Sequence, residues 1–213
     1  HIRSGEIFTN WIDGKHVHTH AGFQHDPWTR GQPPLSFYQA AMAHHQALTR
    51  EGGGGSSQGA TAAARAHAMV VTAPDQANPV VAPLLAQGAN NTDGGMPVLL
   101  SSSDSFAQDL SQLLCAQALA LSDSSLNPML LASPNVREVY FFSHTGCDTS
   151  STCDQRRLGP AALRRYWCIA GDGAYGVGER WGNDAAGRKE MLSYRVRPPV
   201  PVNVTKFGCV GNR

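Results

Sequence analysis

The chain has 213 residues, a formal net charge of +1 and only 15% charged residues. That length holds one substantial domain or two small ones. The neutral balance provides no basic field for nucleic acid or an anionic membrane, and no apolar run is long enough for a transmembrane helix, so neither partner is expected.

Residues 1–51 read as a His-rich segment. A strand over Glu6 to Ile12, an Asp13-Gly14 turn and a second strand over Lys15 to His20 carry the signal of a β-hairpin. Side chains alternate along a strand, so His16, His18 and His20 share one face. Imidazoles gathered in this way can hold Zn or Cu, the one cofactor the chain suggests. A solvent-facing polar row on a half-buried hairpin is the plainer reading of them. A helix follows from Phe37 to Arg50, with Ser36 as its cap. Residues 52–59, Gly- and Ser-rich, then form a linker, and Ala60 to Ala68 suits a further helix.

Residues 60–146 read as an α/β domain. Met69-Val-Val-Thr-Ala-Pro is a short apolar strand, Asn78 to Ala86 a helix, and Gly95 to Ser102 a second strand. Asp104 to Leu121 is a long helix, and Val136 to Ser143 a third strand. Continuous apolar strands alternating with helices predict a short parallel sheet with helices on its faces, in the manner of flavodoxin or Rossmann folds. Ligands of such sheets bind beyond the strands' carboxyl ends. The candidate binding residues there are Asp75, Gln76, Ser101, Ser102, Ser103 and His144. The serines and His144 lie at strand ends where a nucleophile and base can meet. However, no Gly-x-Ser-x-Gly elbow is present, and Ser103-Asp104 reads as a helix cap. The loops also lack a phosphate-binding glycine motif.

Residues 147–213 change character. Leu163 to Ile169, Glu190 to Arg197 and Val200 to Val210 alternate like antiparallel strands, forming a β-rich region or an extension of the main sheet. Pro201 restricts its strand to an edge. Cys147 and Cys153 flank a polar loop of a length that closes a disulfide, and Cys168 and Cys209 can pair across the region. Cys115, on the expected long helix, reads as a buried free thiol. Two bridges imply an oxidising compartment, hence an extracellular or cell-surface location. The first residue, His1, fits a secreted chain that has lost its leader. Asn90 and Asn203 begin glycosylation sequons.

The motifs Val70-Val-Thr-Ala-Pro-Asp75, Ala82-Pro-Leu-Leu-Ala86, Met96-Pro-Val-Leu-Leu100, Ser103-Asp-Ser105 and Val136-Arg-Glu-Val-Tyr140 occur in that order. In order and spacing, about residues 66–146 resemble the cell-wall-binding repeat of Gram-positive surface-layer proteins and autolysins. His144-Thr-Gly146 stands where that family has Gly-Gly, and a single copy is present where the family carries tandem repeats. The resemblance implies a non-enzymatic surface protein held noncovalently on a wall polysaccharide, in oligomers or repeats. A structural or adhesive subunit of a virion, pilus or sheath, and a secreted metal-dependent enzyme built on the histidines, are the alternatives. Arg156, Arg157, Arg164 and Arg165 form the only dense basic cluster available to a polyanion.

Overall fold

A computed structural model describes residues 2, 11–12, 15–16, 32–52, 67–72, 78–89, 95–103, 105–122, 126–143, 146–147, 164–175 and 185–202. Strands β1 (Trp11–Ile12) and β2 (Lys15–His16) pair antiparallel, with Trp11 opposite His16 and Ile12 opposite Lys15. Helix α1 (Leu35–Gly52) begins directly after Pro33-Pro34, and the Phe37 amide donates to the Pro34 carbonyl. Ser36 therefore lies in the first turn instead of capping it. Its hydroxyl donates to the Tyr194 carbonyl at 2.6 Å and ties the helix start to the far end of the chain.

Strand β3 (Ala68–Val70), helix α2 (Val81–Ala89) and strand β4 (Val98–Leu100) make the first crossover unit, with β3 and β4 parallel. Asn78 starts the helix by accepting the Val80 amide on Oδ1 at 3.0 Å. Near the helix end, a Cβ on Gly88 would stand 2.5 Å from the Val98 nitrogen, so only glycine lets α2 lie this close to β4. Helix α3 (Phe106–Cys115), strand β5 (Ala118–Leu121), the short helix α4 (Asn127–Leu130) and strand β6 (Glu138–Ser143) follow. Strand β7 (Arg165–Ala170), helix α5 (Ala185–Ser193) and strand β8 (Val200–Val202) complete the described chain. The second sheet has the order β5-β6-β7-β8, with β5, β6 and β7 parallel and β8 antiparallel at the edge. Pro201 sits in that edge strand, where its missing N–H costs no central ladder bond.

Side-chain alternation sorts the strands onto two cores. Leu119, Leu121, Val139 and Tyr166 face one way, against Leu113 of α3 and Leu130 of α4. Tyr140 and Ile169 face the other, against Phe37 and Ala41 of α1 and Met191 of α5. Val70, Val81, Leu84 and Val98 join this second core. Helix α1 thus packs against both sheets, and buried residues from 1–51, 60–146 and 147–213 share one interior. The protein is a mixed α/β structure with helices on both sheet faces. No described helix is long and apolar enough to cross a membrane.

Several expectations are corrected. The helix expected from Asp104 to Leu121 stops at Cys115, and residues 118–121 form a strand. Ala and Leu favour helix, but pairing with β6 buries Leu119 and Leu121 while Ala118 and Ala120 pack under α1, and that tertiary gain wins. The N-cap of α3 is Ser105, which accepts the Gln108 amide, not Ser103. The strand expected over Glu190 to Arg197 is helical through Ser193, with Met191 fully buried. Most of the expected helix from Ala60 lies outside the described residues.

The expected disulfides are also corrected. Cys147 bonds Cys168, with Cα atoms 5.8 Å apart. Gly146, at φ +106°, turns the chain just beyond β6, and β7 lies beside β6 with Cys168 opposite Phe141. The turn brings Cys147 back over the neighbouring strand, which excludes both Cys147–Cys153 and Cys168–Cys209. Cys153 and Cys209 lie outside the described residues. Cys115 is free, as expected, but exposed instead of buried. It ends a helix whose inner face is carried by Leu110, Leu113 and Leu114.

Candidate functional site

Polar chemistry concentrates at the start of β6. Glu138 and Tyr140 are two residues apart on one strand and so project from the same face. The Tyr140 hydroxyl donates to Glu138 Oε2 at 2.9 Å, and His45 Nδ1 meets the same oxygen at 2.9 Å. Arg165, directly opposite Glu138 in the parallel register, donates to the other oxygen, Oε1. The carboxylate is 4% exposed and held by donors from two strands and one helix.

Burial alone would raise the Glu138 carboxyl. The hydrogen bonds from His45 and Tyr140, with the charge of Arg165 and that of His45 when it is protonated, outweigh it and hold the group below the ordinary carboxylate range. Tyr140 has one proton and gives it to Glu138. His44, whose Nδ1 stands 3.0 Å from the Tyr140 oxygen, must therefore donate there. Burial keeps His44 below its ordinary value, partly opposed by Glu138. Trp167 closes the group, stacked parallel to Tyr140 and in edge contact with His44.

This cluster borders a cleft of about 590 Å³ lined by residues of α1, β3, β5 and the end of α3. Its polar side chains include His45, His67, Gln112, Gln117 and Tyr140, and Ala41, Val70, Leu113 and Ala118 belong to its apolar wall. No Asp, Glu, Lys or Arg lines it among the described residues. Tyr38 contributes its ring only. Its hydroxyl is buried without a partner, and burial drives its pKa far up.

The sites expected from sequence fall elsewhere. Ser101, Ser102 and Ser103 follow β4, and the Ser101 amide donates to the Val70 carbonyl at 2.8 Å. The Ser101 hydroxyl donates to Asp109 Oδ1 at 2.8 Å, and the Ser103 hydroxyl reaches the same oxygen. Only Ser102 of the three is exposed. Asp75, Gln76 and His144 lie outside the described residues, as do His18, His20 and the side chain of His16. Among the described residues no group of three His, Cys, Asp or Glu is placed to hold a metal ion.

Two of the four clustered arginines are described, and both are engaged within the chain. Arg164 donates to the carbonyls of Leu131, Ser133 and Val136, and Arg165 to Glu138. His45 and Glu138 were not singled out from sequence. The available signal was a carboxylate placed on the Tyr140 face of an otherwise apolar strand. No protein-family model, curated protein or solved structure matches the chain.

Proposed function

We propose that the protein is a non-enzymatic extracellular or surface protein that binds a wall glycan noncovalently through the loop at the carboxyl end of β4. The observation that carries this reading is the loop's construction. Asp109 takes the hydroxyls of Ser101 and Ser103, which fixes the backbone and leaves Ser102 presented to solvent beside the end of a parallel strand. Loops at that end of a parallel sheet are the usual place for a ligand. A hydroxyl presented on a rigid loop suits a polyhydroxylated polymer, because little ordering cost remains on binding. Asp75, Gln76 and His144 are proposed as further contacts. The Cys147–Cys168 bond is compatible with an oxidising, extracellular setting.

Cosedimentation of the oxidised protein with purified Gram-positive walls tests the reading. Saturable binding is expected, abolished when the secondary polymers are stripped. It should weaken on Asp109→Ala, which frees the loop. Equal recovery with intact and stripped walls, or none with walls of several sources, rejects it.

A further inference from the structure

We infer that the cleft between β3 and β5 is a binding site for a small uncharged amphiphile, an apolar body whose hydroxyl group donates to Nε2 of His45. The serine loop does not line this cleft, so a failure here and a failure of wall binding are distinguishable.

The polar anchor follows from hydrogen-bond accounting. Glu138 is ionised and can only accept, so His45 presents Nδ1–H to it. In the neutral ring the proton on Nδ1 leaves Nε2 as an acceptor. Glu138 cannot swing away to release the ring, because Tyr140 and Arg165 hold it from the neighbouring positions. A buried carboxylate that orients an imidazole in this way sets which nitrogen faces the ligand. Among the described residues Nε2 has no partner, and His45 is 19% exposed on a side chain that lines the cleft.

The apolar body follows from most of the remaining lining, in which His67, Gln112 and Gln117 are the further polar side chains. At about 590 Å³ the cleft falls within the range of small-molecule sites. Filling it with solvent would take about twenty waters at ~30 Å³ each, and an ordered water needs two or more polar partners. Ala41, Met42, Val70, Leu84, Leu113 and Ala118 offer none. The same lining argues against a charged ligand. Without a described Lys, Arg, Asp or Glu on the wall, an ion would lose its hydration with no permanently charged side chain to meet it.

Isothermal titration calorimetry of the oxidised protein at pH 8 with 1-octanol, and separately with octanoate, tests the site. Octanol is expected to bind saturably at one site per chain, and octanoate at least tenfold more weakly. His45→Phe, which keeps the ring's bulk but removes Nε2, should weaken octanol about tenfold. Ala118→Phe, which fills the cleft, should abolish binding, with circular dichroism confirming that each variant is folded. Absent octanol binding, octanoate binding as tightly, or octanol binding unchanged by Ala118→Phe would overturn the assignment. The octanol and octanoate comparison needs no variant, so it decides even where a substitution prevents folding.

Discussion

The Glu138 cluster couples protonation to stability at two separate pH values. His44 is held below its ordinary value chiefly by burial, so the unfolded chain binds a proton that the folded one resists. Stability is then complete above about 6.5, the value of a free histidine, and declines as pH falls below it. Glu138 is also depressed, but a carboxylate that is ionised more readily when folded stabilises above about 4.5 and loses that contribution as pH falls through its lowered value. Melting temperature measured from pH 8 to pH 3 should therefore fall in two stages. His44→Asn should flatten the upper stage while leaving the lower one. Glu138→Gln should flatten the lower stage and cost roughly 1.5–3 kcal/mol at pH 7, the range for hydrogen bonds to a charged group. Little of that loss belongs to Arg165, whose side chain is 57% exposed and screened by water. A melting curve of Glu138→Gln that parallels the wild type throughout would contradict the assignment of an ionised buried carboxylate.

At the scale of elements, strands β3, β4 and β6 and helices α1 and α2 were legible, whereas strand β5, helices α4 and α5, the parallel pairing of β7 with β6 and the disulfide were not. Apolar runs with β-branched residues, such as Met69-Val-Val and Val136 to Phe142, announce strands by composition. Ala118-Leu-Ala-Leu121 has no such residue, and its strand state exists only because β6 lies beside it. Residues 190–197 alternate like a strand, yet helix formers from Ala185 onward and the burial of Met191 carry the helix through Ser193. The disulfide was illegible for a related reason. Local spacing favours the nearest cysteine, while the true partner depends on β7 lying next to β6. Peptide mapping without reduction should recover a Cys147–Cys168 link and no Cys147–Cys153 link. The bridge spans 21 residues, so Cys168→Ser should lower stability by about 3 kcal/mol on the chain-entropy account. Cys153→Ser, which leaves that bond intact, should cost far less. The reverse ranking would contradict the bond.

At the scale of the whole molecule, the candidate cleft was hidden from the sequence because its polar partners are 93 residues apart. Only the docking of α1 across both sheets brings His45 to Glu138. That docking also makes a claim about cooperativity. Phe37 has no exposed surface and shares a core with Val70 of β3, Tyr140 of β6 and Met191 of α5. Its ring meets Phe142 edge-on at 5.9 Å, and Ser36 beside it binds the Tyr194 carbonyl. A helix wedged against every layer cannot detach without opening both sheets to water, so the described core should melt as one unit. Calorimetry should then give a single transition whose calorimetric and van't Hoff enthalpies agree. Phe37→Ala should lower stability by roughly 3–5 kcal/mol, the cost of an emptied aromatic site, and shift that one transition as a whole. Two separated transitions, with Phe37→Ala moving only one, would instead mean that the β3–β4 unit and the larger sheet are stabilised independently. The cleft between them would then be a boundary between separate bodies and not a cavity within one.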